Sequence, residues 1–275
     1  MLARCHHLET VWRVVLDASP GRDVALLDGP GLAQLDAILA AASNHDGLRV
    51  LVLESRAPGS FCAGMDLQGL SGAASDPGAA MAAYASCLRR LRALRGVVVA
   101  VVDGAAVGGG VGLAAAADIA LASERASFAL PELTWGLMPA MVLPVLRERM
   151  PVAAIRWLTL SGARLDAEDA RARGLVDQLL PGDAEAVTGA VRRLLRGLLR
   201  VRPEAVANLK QFLRSIETKD LRGALAAGQQ QTARDARDPQ ILGALRRFWD
   251  EGERLPWFQR PPVWPVDPGP GGEDP

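Results

Sequence analysis

An uninterrupted apolar run, VVVAVVD at residues 97–103, constrains the fold more than any other part of the chain. Such runs of β-branched residues are typical of strands buried on both faces, as in parallel sheets covered by helices. Two further segments have strand character, TVWRVVLD at 10–17 and RVLVLE at 49–54. The stretches between them, GPGLAQLDAILAAAS at 29–43 and AAMAAYASCLRRLRALR at 79–95, have helical spacing. The order strand, helix, strand, helix, strand predicts an α/β fold.

From about residue 139 onward the pattern is mostly helical. Beside an extended piece at 175–181, candidate helices cover 140–150, 152–161, 166–173, 183–201, 203–216, 218–236 and 238–252. We predict a core over residues 1–195, a helical C-terminal region over 196–258 and a tail over 259–275. The tail, QRPPVWPVDPGPGGEDP, is rich in proline and glycine, so we expect it to be disordered or to lie along a surface.

Composition argues against several classes of protein. Lysine plus arginine and aspartate plus glutamate both number 31, so the net charge is zero, which is unusual for a nucleic-acid binder. Three scattered cysteines fit neither a disulfide framework nor a CxxC metal site, and the three histidines all lie in the first fifth of the chain. We therefore expect no metal. No apolar stretch has the length of a signal peptide or a membrane span, so we expect a cytoplasmic protein that does not bind a membrane.

The glycine-rich stretch GAAVGGGVGLAAAAD at 104–118 is open to more than one interpretation. GVGLAA at 110–115 fits the dinucleotide fingerprint G-x-G-x-x-A, and Glu132 lies about 20 residues further on, where a ribose-binding acid is expected. The context does not fit, because the following helix is short and Glu132 comes in a loop after Pro131 rather than at the end of a strand. A P-loop does not fit either, because no Gly-Lys-Ser/Thr follows the glycines.

An oxyanion site is the other interpretation of these glycines. Glycine allows a substrate carbonyl to approach the backbone closely, and a helix that begins near Gly110 directs free N–H groups and its positive dipole end towards the loop. A second loop, FCAGMDL at 61–67, also follows an apolar run and could supply another N–H group. From the glycines alone, a tight strand-to-helix turn that serves only packing explains them equally well.

FCAGMDL and the stretch GAAVGGGVGLAAAADIALASERASFALPELTWGLMP resemble the enoyl-CoA hydratase/isomerase (crotonase) superfamily. The similarity spans about residues 10 to 258 and is densest over 61–139. It implies a crotonase-like spiral of ββα units with two roughly perpendicular sheets, followed by a helical C-terminal region. Members of the superfamily are commonly homotrimers, or hexamers built as dimers of trimers, so residues 196–258 are expected to serve trimerisation.

The resemblance implies that two backbone N–H groups polarise a thioester carbonyl, and it assigns them to Met65 and Gly109. It also implies that the loop SPGRDVALLDG at 19–29 grips the pantetheine arm, with Val24-Ala25-Leu26 in place of the usual Asn-Ala-Leu. The remaining residues expected to contact substrate flank the two turns or line the acyl pocket: Ala63, Gly64, Asp66, Gly108, Gly110, Ala25, Trp135 and Met138.

A carboxylate beside the thioester is expected to move protons. Hydratases of the superfamily commonly use two glutamates, and the matching positions here hold Glu132 and Gly112. The chain therefore keeps one acid and lacks the other, which argues against ordinary hydration of an enoyl thioester. Tyr84, the single tyrosine, is a further candidate catalytic residue, although on an amphipathic helix it could serve packing alone. Cys62 is expected to be a small buried residue rather than a nucleophile.

Gly112, Tyr84 and the stretches PELTWGLMPAMVLPVLRERM and FWDEGERLPWF are most similar to the dehydrating branch found in polyketide β-branching cassettes. This resemblance implies a hydro-lyase that converts a 3-hydroxy-3-methylglutaryl thioester on an acyl carrier protein into 3-methylglutaconyl thioester. No cofactor is implied besides the phosphopantetheine or coenzyme A that carries the substrate. The alternatives are the decarboxylase of the same cassette, an isomerase or hydratase acting on acyl-CoA, and a non-catalytic subunit that binds an acyl thioester.

Overall fold

The computed structural model describes residues 3–70 and 76–264. These residues form two compact units, residues 3–193 with 262–264 and, separately, Leu194–Pro261. The strands are β1 (Ala3–Leu8), β2 (Val11–Leu16), β3 (Val50–Ser55), β4 (Ser60–Cys62), β5 (Val97–Val102), β6 (Ala105–Val107), β7 (Ile119–Ser123), β8 (Ser127–Ala129), β9 (Arg164–Asp166) and β10 (Gln178–Leu180). The helices are α1 (Gly29–Ser43), α2 (Leu67–Leu70), α3 (Pro77–Ala93), α4 (Gly109–Ala115), α5 (Val142–Arg147), α6 (Val152–Ser161), α7 (Ala167–Ala172), α8 (Ala184–Leu198), α9 (Pro203–Ile216), α10 (Leu221–Asp235) and α11 (Pro239–Asp250).

The first unit contains two sheets. The larger has the order β1-β2-β3-β5-β7-β10, and apart from the antiparallel β1–β2 hairpin all its neighbours are parallel. Every residue of β2 and of β5 is buried, which explains why β5 is a continuous apolar run and why β2 is apolar except for Arg13. The smaller sheet has the order β4-β6-β8-β9. The α/β fold predicted from the alternation of strands and helices is therefore confirmed.

A ββα unit repeats along the first half of the chain. Its first strand lies in the six-stranded sheet (β3, β5 or β7) and its second in the four-stranded sheet (β4, β6 or β8), and a helix follows each pair. The repeat is the spiral that the resemblance implies. Because the short second strands are parallel neighbours, the segments that leave β4, β6 and β8 start from the same edge of one small sheet.

The C-terminal unit consists of α9, α10, α11 and the end of α8. Aspartates cap two of these helices, since the Asp220 and Asp238 side chains accept hydrogen bonds from Gly223 N (2.8 Å) and Gln240 N (2.8 Å). Large apolar side chains are exposed on this unit, among them Leu209 at 55%, Leu225 at 64% and Trp249 at 71%. The trimerisation role predicted for residues 196–258 stays a prediction. None of the described helices is long and apolar enough to cross a bilayer.

The predicted tail falls largely on residues 265–275, which lie outside the described residues. Its described part, 259–264, has no regular secondary structure. Trp264 is nevertheless packed rather than disordered. It is 2% exposed, its carbonyl accepts a hydrogen bond from Arg192 (2.7 Å), and its ring lies 5.7 Å from the guanidinium of the buried Arg13.

Candidate active site

The turn after β4 is held by backbone hydrogen bonds to the loop that precedes α1. Ala63 N donates to Ala25 O (2.8 Å), Leu27 N donates to Gly64 O (2.8 Å) and Asp66 N donates to Leu27 O (3.1 Å). Gly64 has φ of +84°, a left-handed conformation that favours glycine. The residue between these bonded positions is Met65, whose own N–H takes no part in this pairing.

The glycine-rich turn connects β6 to α4. Gly108 has φ of +53° and ψ of −117°, and its N–H donates to Ala129 O (2.9 Å), which ties the turn to β8. Gly109 is the first residue of α4, so its N–H has no carbonyl partner within the helix. The sequence places this helix start near Gly110, and the structure places it one residue earlier.

The two turns touch each other. A Cβ built on Gly64 would lie 2.8 Å from Val107 O and 3.4 Å from Gly109 N, so the backbones approach more closely than any side chain would permit. Within the described part of the chain, neither Met65 N–H nor Gly109 N–H donates a hydrogen bond. Two unpaired backbone donors from distant segments are thus brought together, which is the arrangement that an oxyanion site needs.

A cavity of about 710 Å³ opens beside these donors. Most of the predicted site residues line it, namely Met65, Gly109, Glu132, Tyr84, Ala63, Gly64, Gly108, Trp135 and Met138. Apart from the Glu132 carboxyl, the Tyr84 hydroxyl and the indole N–H of Trp135, the side chains of its described wall are apolar. The cavity therefore suits an acyl chain and offers a single acid.

Glu132 lies in a 3-10 turn, Glu132–Trp135, that follows β8. A Cβ on Gly108 would come within 2.8 Å of Glu132 Oε1, so the carboxyl group lies directly against the glycine turn. Its other oxygen, Oε2, is buried and has no hydrogen-bond partner among the described residues. This burial raises the pKa of Glu132 above its ordinary value, as expected for a carboxylate that accepts a proton during catalysis.

Tyr84 extends from α3 into the same region. Its side chain is 1% exposed, and its hydroxyl donates a hydrogen bond of 2.7 Å to Gly109 O. Burial raises the pKa of Tyr84 well above 10, so the phenol stays neutral. The structure therefore places Tyr84 in the cavity wall, as predicted, with its only proton directed at the backbone of α4.

Three predicted contact residues do not line the cavity. Ala25 is fully buried and supports the site through its carbonyl, and Asp66 holds the turn through its N–H bond to Leu27. A Cβ on Gly110 would lie 2.2 Å from Cys62 O, so Gly110 is required for the packing of α4 against β4 rather than for substrate contact. Cys62 is buried, which raises its pKa to about 12 and agrees with a packing role.

The sequence reasoning missed much of the apolar wall. Pro77 and Met81 of α3, Leu67 of α2, and Pro139 and Met141 ahead of α5 also line the cavity. Met81 and Tyr84 are three residues apart on one helix and therefore share a face, which is the one signal that could have identified Met81. Within residues 3–70 and 76–264, no group of three or more His, Cys, Asp or Glu side chains is placed to hold a metal ion.

The sequence profile of a family described as enoyl-CoA hydratase/isomerase matches residues 28–249. The bacillaene synthase dehydratase PksH of Bacillus subtilis (strain 168) is 35% identical over 164 residues, 58% of this chain and 60% of that protein. The match thus spans less than two thirds of the Bacillus protein. Carnitinyl-CoA dehydratase of Proteus mirabilis (strain HI4320) is 30% identical over 217 residues, 76% of this chain and 80% of that protein.

Solved structures show the same similarity over nearly the whole chain. Pseudomonas aeruginosa AtuE superposes with a TM-score of 0.84 at 31% identity, covering 94% of this chain and 100% of that one. An enoyl-CoA hydratase from Shewanella pealeana ATCC 700345 gives a TM-score of 0.83 at 26% identity, with 94% and 96% covered.

Proposed function

Because the chain belongs to the enoyl-CoA hydratase/isomerase family, whose hydratases and dehydratases are hydro-lyases, we propose that it is a dehydratase of 3-hydroxyacyl thioesters. The observation that carries this proposal is the pairing of two unbonded backbone N–H groups, Met65 and Gly109, beside a single acid, Glu132, in one apolar cavity. The match over residues 28–249 confirms the family that the resemblance predicts, while the roles of the individual residues are part of the proposal.

The two N–H groups would bind the thioester oxygen. Removal of a proton from the carbon next to the carbonyl creates an enolate whose charge develops on that oxygen. Fixed donors stabilise this charge without the reorganisation that water would need, and one such donor is typically worth about 3–4 kcal/mol in the transition state. Met65 and Gly109 are suited to this role because neither N–H has to break a hydrogen bond within the described chain first.

Glu132 would move both protons. Its carboxylate takes the α-proton, and the C–H electrons form the enolate. The enolate then re-forms the carbonyl, a double bond forms between the α- and β-carbons, and the β C–O bond breaks. The departing hydroxide takes a proton from the now protonated Glu132 and leaves as water. The step transfers no electrons to or from a co-reactant, so it requires no redox cofactor.

The presence of one acid argues against the two-glutamate mechanism that is common among hydratases of the family. The second position at which the family commonly has a glutamate is Gly112, and no other acidic side chain lines the described wall. A single carboxyl that removes and returns a proton on the same face suffices for elimination. A tertiary β-carbon would make C–O cleavage easier, which supports a 3-hydroxy-3-methyl substrate.

The first candidate substrate is 3-hydroxy-3-methylglutaryl thioester on an acyl carrier protein, giving 3-methylglutaconyl thioester in polyketide β-branching. The similarity to the bacillaene synthase dehydratase supports this choice. The Val24-Ala25-Leu26 loop also supports a carrier protein over free coenzyme A. By this proposal the enzyme is a cytoplasmic homotrimer or hexamer.

The cavity wall itself favours a second candidate. No lysine, arginine or histidine is among the described residues that line it, so the carboxylate of a glutaryl chain has no cationic partner there. Burying an unpaired carboxylate costs several kcal/mol by rough estimate. A 3-hydroxyacyl thioester with an uncharged chain fits this wall without that cost.

One experiment separates these candidates. The purified full-length protein is incubated with acyl carrier protein loaded with 3-hydroxy-3-methylglutaryl or with 3-hydroxybutyryl, and the acyl chain is weighed by mass spectrometry. Loss of one water from the first substrate supports the first candidate, and loss from the second alone supports the second. Loss of carbon dioxide, or binding with no change in mass, would each contradict dehydration. The same acyl groups on coenzyme A measure carrier preference.

A further inference from the structure

The buried space beside Gly112 is filled by Tyr84. A Cβ built on Gly112 would lie 2.1 Å from Tyr84 Oη and 3.2 Å from Val142 Cγ2. No side chain can occupy that position unless the phenol moves. The two residues belong to different helices, α3 and α4, so their fit is a property of the tertiary structure.

The same hydroxyl contacts the start of α4. It donates its hydrogen bond of 2.7 Å to Gly109 O, and a Cβ on Gly109 would lie 3.4 Å from Oη. The phenol thus spans Gly109 to Gly112, one turn apart on the same face of the helix.

Three of the four residues in the first turn of α4 are glycines. Gly109, Gly110 and Gly112 carry no side chains, and glycine backbone loses more conformational freedom on ordering than any other residue. An oxyanion donor nevertheless needs a position accurate to about half an ångström. An external hydrogen bond that fixes this turn therefore has a direct consequence for the Gly109 N–H.

We propose that Tyr84 is a positioning residue, which braces the first turn of α4 and so holds the Gly109 N–H on the thioester oxygen. Gly112 is glycine because the phenol occupies the place of its side chain. The identity of the bound oxygen rests on the proposed function, whereas the Tyr84–Gly112 pairing does not. The role differs from that of a proton donor, since the single phenolic proton is already donated to Gly109 O.

The first test measures the polarisation of a bound carbonyl. Full-length protein and the Y84F variant bind acetyl-pantetheine labelled with ¹³C at the carbonyl, and infrared spectroscopy records the carbonyl stretch. In the wild type, binding should move the carbonyl stretch to lower frequency, and we expect Y84F to lose part of this shift. With the thioester that the protein dehydrates, Y84F should lower kcat roughly five- to tenfold and change KM little, as expected for the loss of one neutral hydrogen bond. An unchanged shift with an unchanged kcat would overturn the proposal. So would a loss of about 10²-fold or more with the shift intact, which indicates a proton donor.

The second test needs no substrate. Thermal unfolding is compared for the wild type, G112A, Y84F and the double variant Y84F/G112A. We expect G112A to lower Tm by roughly 3–10 °C in the wild-type background, or to give insoluble protein, because overpacking is costly. In the Y84F background the same substitution should cost much less, since the clashing oxygen is gone. Equal losses in both backgrounds would overturn the pairing, whereas a protein that turns over no thioester but shows this coupling would overturn only the proposed function.

Discussion

The substitution Glu132→Gln removes a charge from the cavity while preserving the shape of the side chain. In the wild type, Glu132 Oε1 lies against Gly108, and Oε2 is buried without a partner among the described residues. The same burial that raises the pKa of Glu132 also makes the ionised carboxyl costly to the fold. The substitution should therefore reduce activity and increase stability.

The loss of activity follows from the absence of a second acid. General acid–base catalysis by one positioned side chain contributes about 10²–10⁴-fold, and each tenfold corresponds to about 1.4 kcal/mol of barrier. Because no other carboxyl lines the described wall, we expect the upper end of this range, about 5 kcal/mol, in kcat with KM little changed. The wild-type rate should fall on the acidic side at a pH above 4.5, since the base must be ionised and its pKa is raised.

The gain in stability depends on pH in a defined direction. The pKa of Glu132 is higher in the folded chain than in the unfolded one, so between the two values the unfolded chain binds fewer protons and stability falls as pH rises. Glutamine has no such titration. E132Q should thus gain stability relative to the wild type as the pH rises from about 4 to about 7, because only the wild type must bury an ionised carboxyl there.

The assay combines steady-state dehydration with urea unfolding at about pH 4 and pH 7. Glu217→Gln, at an exposed position in the C-terminal unit, serves as the control and should change neither quantity. A variant E132Q that keeps near-normal turnover would refute the role of Glu132 as the base. A stability difference that is the same at both pH values would refute the assigned cause of its raised pKa.

Three further predictions concern the supports of the site and the core. Gly64→Ala should abolish most activity, because Gly64 has φ of +84° and an added Cβ would lie 2.8 Å from Val107 O. Gly162→Ala is the control and should leave turnover intact, because Gly162 also has a positive φ but an added Cβ would contact nothing within 4 Å. Arg13→Ala should lower the free energy of unfolding, measured by urea titration, by about 3–5 kcal/mol. The buried Arg13 guanidinium pairs with the Glu54 carboxylate, and its Nε donates to Glu54 Oε1 at 2.7 Å. Cys62 should resist iodoacetamide at about pH 8 in the native protein and react on unfolding, as peptide mass mapping can show, because its pKa is raised to about 12.

Long periodic segments were predictable from sequence because their burial leaves a pattern. β2, β3, β5, α1 and α3 each lie within a residue or two of the ranges expected from apolar runs or helical spacing. The strands of the smaller sheet were not predicted, since each has three residues, too few to show an alternation. β1, which pairs antiparallel with β2, was also missed, because the adjacent polar residues His6 and His7 interrupt any apolar pattern in its sequence.

The candidate site was less accessible to sequence reasoning, for a physical reason. Its proposed donors are backbone groups, so no side-chain chemistry marks Met65 or Gly109, and only the resemblance pointed to them. The contact between Tyr84 and Gly112 could not be predicted either, because a missing side chain gives no signal until the fold brings a phenol into its place. The dinucleotide interpretation of the glycines loses support in the structure, where Glu132 lies beside Gly108 in the cavity rather than at the end of β7.

The most direct measurement is a crystal structure of full-length E132Q, which should be unable to turn over, with a 3-hydroxyacyl pantetheine thioester bound. We predict that the thioester oxygen lies within about 3.2 Å of both Met65 N and Gly109 N, with the α-carbon facing residue 132. A thioester oxygen directed at the cavity mouth, or bonded to neither backbone nitrogen, would contradict the oxyanion site and the dehydration built on it.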